Sequence, residues 1–231
     1  MKRIGLIGGM SWESTAVYYR LLNQGFAAQY GPWQQPDIVL RSINFADLAA
    51  LQSQGDWDGA AALVVEAANS LEAAGADVLA ICANTMHVVA PAVRAAAPHL
   101  RFVDVIEVVA DAAKAQGATS IALLGTKYTM ELGFYSDGLQ AHGLDVVLPD
   151  EGQREELQRI VYDELTQGVF LDESRTTLGG IAASCLKRGA DVAALCCTEF
   201  GILLDPATTP LPIIDSTVEH VRALLLATSE S

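Results

Sequence analysis

Basic residues are scarce in this chain of 231 residues: 14 Lys and Arg stand against 28 Asp and Glu, a formal net charge of −14. Such a polyanion repels phosphate backbones, which excludes a nucleic-acid partner and favours solubility. Long apolar runs are also missing. No charge-free stretch reaches the roughly 18 residues that a membrane helix needs, so no membrane partner is expected. The opening Met1-Lys2-Arg3-Ile4 leads straight into a strand without a signal-peptide pattern, and a cytoplasmic location is the expectation. Cysteine is sparse too. The four cysteines show no C-x-x-C spacing, so no metal site is expected, and in a reducing compartment they are free thiols. Nor does any Gly/Ser-rich or highly charged linker divide the chain.

What is present is hydrophobic content of 51%, enough to bury a sizeable core in one large domain or two small ones. Short apolar runs alternate with helical patterns, the mark of successive βαβ units and a parallel sheet. Strands are predicted at 3–7, 38–42, 78–81, 102–103, 121–124, 146–148, 192–195 and 212–214. Long helices are predicted at 14–29, 57–74, 105–116, 130–141, 153–166, 174–187 and 216–226. Gly75, Gly117, Gly143 and Gly189 each close a helical segment just before a strand, as left-handed caps do.

The chain repeats itself. Gly75-Ala76-Asp77 and Gly189-Ala190-Asp191 each open an apolar run that ends at sulfur, Cys82 in one half and Cys196-Cys197 in the other. A second echo joins Ile4-Gly5-Leu6-Ile7-Gly8-Gly9 to Ile121-Ala122-Leu123-Leu124-Gly125-Thr126. The expected fold is therefore α/β: two pseudo-symmetric βα domains with parallel sheets, 1–98 plus 213–231 and 99–212, with the active site in the interdomain cleft. Each sulfur falls at the carboxyl end of a strand, the sheet edge where ligands bind because helix N-termini and loops converge there. Cys82 and Cys197 are expected on opposite walls of that cleft.

Counting from the tripeptides aligns Cys82 with Cys196, whereas polar context favours Cys197, which opens the segment Thr198-Glu199. Cys185 lies among Ile181, Ala182 and Leu186 on an apolar helix face and reads as core. Two facing thiols suit one chemistry. Inverting a stereocentre needs a base on one face of the carbon and an acid on the other, and thiolate and thiol exchange those roles with direction. A free thiol has a pKa near 8.5, and the helix N-termini beside the strand ends are expected to lower it.

Four motifs in order carry a resemblance over nearly the whole chain: Gly8-Gly9-Met10-Ser11-Trp12-Glu13-Ser14-Thr15, Cys82-Ala83-Asn84-Thr85-Met86-His87, Gly125-Thr126-Lys127-Tyr128-Thr129-Met130 and Cys197-Thr198-Glu199. The chain resembles the aspartate/glutamate racemase family, and within it the broad-specificity amino-acid racemases. The resemblance implies an isomerase without pyridoxal phosphate, metal or other cofactor, with Cys82 and Cys197 catalytic, Cys196 replacing the family's glycine, an amino acid as substrate and a homodimeric assembly. It places Asn84, Thr85 and Thr198 at the substrate α-carboxylate, helped by Met10, Ser11 and the turn from Thr126 to Thr129. Helix capping is the competing role for Asn84, Thr85 and Thr198, whose residue types favour it equally.

Glu199 beside Cys197 is a candidate for the substrate ammonium, at the expense of raising the thiol pKa. His87 either polarises the thiol or packs, with packing favoured. Trp12, Tyr18 and Tyr19 are expected in the core rather than in a pocket. Aspartate-specific members of the family are expected to hold the distal carboxylate with cations, yet neither 45–54 nor 160–170 contains Arg or Lys, although Arg159 is adjacent. Gln52 is the expected side-chain contact. A pocket without that charge should accept several polar or apolar amino acids, because an unpaired buried carboxylate is costly. The alternatives are a single-thiolate relative of the maleate isomerase or malonate decarboxylase type, or a non-catalytic amino-acid-binding protein.

Overall fold

The computed structural model describes residues 1–205, 209 and 211–229, and the chain divides into two compact units. Unit 1 comprises Met1–Asp104 and His220–Ser231; unit 2 comprises Val105–Glu219.

In unit 1 the chain runs through β1 (Ile4–Gly8), α1 (Trp12–Tyr30), β2 (Ile38–Ser42), α2 (Phe45–Gln54), α3 (Trp57–Ala73), β3 (Val78–Ile81), a 3-10 turn (Thr85–Val89), α4 (Ala90–Ala96) and β4 (Arg101–Phe102). The four strands form one parallel sheet in the order β2-β1-β3-β4. Every residue of β1 and β3 is buried, as strands covered by helices on both faces require. The apolar faces of α2, α3 and α4 supply Leu48, Val64, Leu71 and Val93 to the core against Ile7, Leu79 and Ile81.

Unit 2 repeats that plan with α5 (Val105–Ala115), β5 (Ser120–Gly125), α6 (Lys127–Glu131), α7 (Phe134–Ala141), β6 (Asp145–Val147), α8 (Glu151–Asp163), a 3-10 turn (Leu165–Gln167), α9 (Asp172–Lys187), β7 (Val192–Cys196), α10 (Thr198–Leu203) and β8 (Ile213–Asp215). Its sheet is again parallel, β6-β5-β7-β8. The last helix, α11 (Ser216–Ser229), starts in unit 2 and continues from His220 as part of unit 1.

The repeated tripeptide does the same work twice. Asp77 Oδ2 accepts the backbone N–H of Arg3, one residue before β1, at 2.7 Å. Asp191 Oδ2 accepts the N–H groups of Thr119 and Ser120 at 2.8 and 3.0 Å, at the start of β5. Each carboxylate satisfies donors that the neighbouring strand leaves open, which fixes the register of the central pair.

The fold departs from expectation in its short elements. The single helix expected over 130–141 is two, because Gly133 takes a positive φ of 83° that ends α6 and redirects the chain into α7. The segments α2 and α10 are helical where no helix was expected. On α1, Tyr18 is buried, but Trp12 and Tyr19 are 68% and 52% exposed, so both lie outside the core. Cys185 is buried in the unit 2 core. Among the described residues, no helix is long and apolar enough to cross a membrane.

Candidate active site

In unit 1, Cys82 is the first residue after β3, and its N–H donates to the Ile7 carbonyl at 2.9 Å, extending the ladder up to the sulfur-bearing residue. The side chain is buried, and desolvation alone pushes its pKa well above the ordinary thiol value. Asn84 follows, buried and in helical backbone conformation, and its side chain makes no capping hydrogen bond to the 3-10 turn. Beside this segment lies the turn after β1. Gly9 has φ 85°, and a Cβ there would stand 2.1 Å from the Ile43 carbonyl oxygen, so only glycine fits between β1 and the chain leaving β2. The tight turn delivers Met10 and then Ser11, whose Oγ caps α1 by accepting the Ser14 N–H at 3.1 Å. Thr15 closes the loop, its Oγ1 accepting from Gly9 N–H at 2.9 Å.

Gln52 is buried on α2 and reaches the Cys82 segment directly: its Nε2 lies 3.1 Å from Met86 Sδ in the 3-10 turn that also contains Thr85. Met10, Ser11, Gln52, Cys82, Asn84 and Thr85 thus all follow strands at the carboxyl edge of one sheet. His87 sits in a buried ring cluster, with Nδ1 3.0 Å from the Ala83 carbonyl oxygen, which accepts.

In unit 2, the turn after β5 mirrors the turn after β1. Thr126 caps α6, its Oγ1 accepting the Thr129 N–H at 3.2 Å, and the two hydroxyls are 3.0 Å apart. The sheet registers settle how the halves correspond. Gly125 pairs with Cys196, and Ile7 pairs with Ile81, so Cys82 stands opposite Gly8 one step beyond; Cys82 and Cys196 are therefore register equivalents. Cys196 ends β7 with its thiol bonded to Tyr135, and burial raises its pKa to about 12. Cys197, the next residue in an extended conformation, presents the opposite side of the chain. Its Sγ donates to Glu199 Oε2 at 3.2 Å.

Cys197 departs from the expectation of a lowered thiol pKa. The N–H groups of Glu199 and Phe200 at the start of α10 do favour its thiolate, but burial and the Glu199 carboxylate outweigh them and push the pKa well up. Thr198 and Glu199 are both buried in the first turn of α10. One neighbour carried no signal in the sequence: Tyr162 of α8, a half-buried phenol hydrogen-bonded to Gln158, is raised to about 12, chiefly by burial and to a smaller degree by Tyr128 and Cys197. Its position follows from the packing of α8 on the sheet, which an isolated tyrosine in a polar helix does not announce. Among the described residues, no group of three or more His, Cys, Asp or Glu side chains is arranged to hold a metal ion.

Fold and thiols together define an α/β protein of two like units, each ending a central strand of its sheet at a buried cysteine followed by short polar side chains. The chain belongs to the Asp/Glu/Hydantoin racemase family, which it matches over residues 7–224. It is 40% identical to a candidate Asp/Glu racemase from Yersinia pestis, with a TM-score of 0.90 and 100% of both chains covered. With an aspartate racemase homologue from Pyrococcus horikoshii the identity is 32% and the TM-score 0.86, again over 100% of both chains. The broad-specificity amino-acid racemase RacX of Bacillus subtilis is 25% identical over 218 residues, 92% of each chain.

Proposed function

We propose that this chain is a cofactor-independent amino-acid racemase of broad specificity in which Cys82 and Cys197 exchange the α-proton. The observation that carries this reading is the pairing of like sites: each parallel sheet ends a central strand at a buried thiol followed by short polar side chains, Asn84-Thr85 in one unit and Thr198-Glu199 in the other. For one enantiomer Cys82 acts as thiolate base and Cys197 as thiol acid; for the other the roles reverse, so the proton leaves one face of the carbon and a proton returns to the opposite face. Negative charge then develops on the α-carboxylate. Asn84, Thr85, Thr198 and the capped turns at Met10-Ser11 and Thr126-Thr129 are the donors suited to hold it. Glu199 serves the substrate ammonium, and that cation in turn offsets the carboxylate that raises the Cys197 thiol.

Specificity follows from Gln52, a neutral amide tied to Met86 where a cation would be needed to hold a second carboxylate. Several polar and apolar amino acids are accepted in consequence, in line with the name of the Bacillus subtilis relative. The reaction belongs in the cytoplasm, and the working form is a homodimer, for which sedimentation should give twice the 24.5 kDa chain mass.

The test is a chirally resolved assay of purified protein in deuterated water, with no added cofactor, over the common L- and D-amino acids. Racemisation accompanied by α-deuteration is expected, and Cys82→Ser and Cys197→Ser should each lower it at least roughly a hundredfold. Full activity in either variant would refute the two-thiol reading.

A further inference from the structure

Unit 1 buries a second set of polar rings that the chemistry above does not use. His220, fully buried, is the residue at which the chain re-enters unit 1 after leaving it at Asp104. Its Nε2 lies 2.9 Å from the Val103 carbonyl oxygen and its Nδ1 lies 2.8 Å from Tyr18 Oη. A carbonyl oxygen only accepts, so Nε2 carries the hydrogen; burial lowers the pKa of the ring to about 3, so it is neutral, Nδ1 is bare, and the Tyr18 hydroxyl donates to it. One tautomer satisfies both contacts. His87 completes the cluster, its ring 5.9 Å from that of His220 at 67° and 5.7 Å from that of Phe102.

These rings touch both unit 1 segments to which substrate contacts are assigned. Tyr18 lies on α1 two helical turns beyond its cap Ser11, so it fixes the helix whose first turn presents Met10 and Ser11. His87 shares the 3-10 turn with Thr85, and its bond to Ala83 spans Asn84 and Thr85 and ends one residue from Cys82. The Val103 contact anchors the other side of the cluster to the residue after β4, where the chain is about to leave the unit. The Tyr18 hydroxyl, the His220 imidazole and the Val103 carbonyl, all buried, hold one hydrogen-bonded arrangement, and the His87 ring packs against it.

We propose that Tyr18, His220 and His87 form a positioning clamp that holds the Cys82 thiol and the Met10-Ser11 turn in one geometry. The inference rests on the two-thiol reading and deepens it, since the clamp acts on one thiol alone. That asymmetry is measurable. When Cys197 takes the proton from its enantiomer, a displaced Cys82 cannot deliver its own deuteron to the other face, and Cys197, once its S–H has exchanged with the deuterated solvent, returns a deuteron to the face the proton came from. Exchange without inversion therefore rises for that enantiomer. In the opposite direction Cys82 abstracts slowly, Cys197 still reprotonates, and the ratio of exchange to inversion stays level.

The experiment compares the initial ratio of α-deuteration to inversion for each enantiomer in deuterated water, for the unaltered chain, Tyr18→Phe and His220→Gln, with thermal melts alongside. Cys82→Ser and Cys197→Ser first establish which enantiomer each thiol deprotonates. The expected result is a ratio raised about fivefold, the worth of one lost hydrogen bond, for the enantiomer that Cys197 deprotonates and unchanged for the other. Tyr18→Phe removes a single oxygen; if it does not fold, His220→Gln, which keeps a donor, supplies the reading. A merely structural role lowers both rates with the folded fraction and leaves both ratios unchanged, and that result, or an equal rise for both enantiomers, overturns the clamp. If either serine variant racemises at full rate, the two-thiol reading itself fails.

Discussion

Cys197 is the residue at which the electrostatics of the site are decided. Two backbone N–H groups favour its thiolate, while burial and a carboxylate 3.2 Å away oppose it and prevail. Cys82 has burial alone acting on it, in the same direction. Both thiols are therefore protonated at neutral pH in the free protein. Because kcat/KM reports the free enzyme, and the base proposed here is a thiol with a raised pKa, the thiolate fraction grows with pH: kcat/KM should climb about tenfold per pH unit between pH 6.5 and 8.5. A flat profile in initial-rate measurements would contradict it. The neighbour Cys196 gives a second expectation. Its thiol meets Tyr135 on the side of the strand opposite Cys197, so Cys196→Ser should keep activity while Cys197→Ser loses it, and mild oxidation should leave the adjacent pair unbridged by mass spectrometry. The sequence left Cys196 and Cys197 as register alternatives, and the register equivalence of Cys82 with Cys196 shows why counting favoured the residue that faces Tyr135. What distinguishes the two is strand pleat, which polar context reflected only because the loop begins where the strand ends.

Among elements, the described strands and the long helices other than the one expected over 130–141 lie where hydrophobic periodicity put them, to within three residues at their ends. The short ones, α2, α6 and α10, escaped it, since five to ten residues are too few to establish a 3.6-residue period. Helix α10 is packed so tightly that its Gly201 abuts the end of β8: a Cβ there would stand 1.9 Å from Asp215 Oδ2. Gly201→Ala should lower stability by about 2 kcal/mol in denaturant titration, because the carboxylate it displaces is held by the N–H groups of Thr217 and Val218 at the start of α11. Asp215 itself is raised to about 6, chiefly by burial. A carboxyl whose folded pKa lies above its unfolded one opposes folding once ionised, so its cost grows as pH rises from about 4 to 6 and is fully present above that. Asp215→Asn keeps the capping oxygen and removes the buried charge. Its Tm should exceed that of the parent at pH 7.5, by the equivalent of at most about 3 kcal/mol, and match it near pH 4.

The whole molecule carries one plan twice and a large excess of negative charge. Gly-Ala-Asp was legible as a repeat near the sulfurs, but its role is architectural: Asp77 and Asp191 hold the backbone at the starts of β1 and β5. With a net charge of −14, self-repulsion works against the compact state and is screened by salt. Raising NaCl from about 10 to 150 mM, which shortens the screening length from roughly 30 to 8 Å, should raise Tm by a few degrees in calorimetry at pH 7.5. An unchanged or lowered Tm would mean that the surface charges are already balanced by pairs such as Arg3–Asp37 and Arg154–Glu131.

The sequence by itself determined the parallel α/β plan and its duplication and singled out the residues to which the proposed chemistry is assigned, because apolar periodicity and motif spacing are local properties of the chain. Tertiary structure alone decided the protonation of the thiols, the neutral clamp of Tyr18 and His220 and the nearness of Tyr162 to Cys197. Those depend on how much water is excluded and on which groups, 202 residues apart in the case of Tyr18 and His220, are brought within hydrogen-bonding distance.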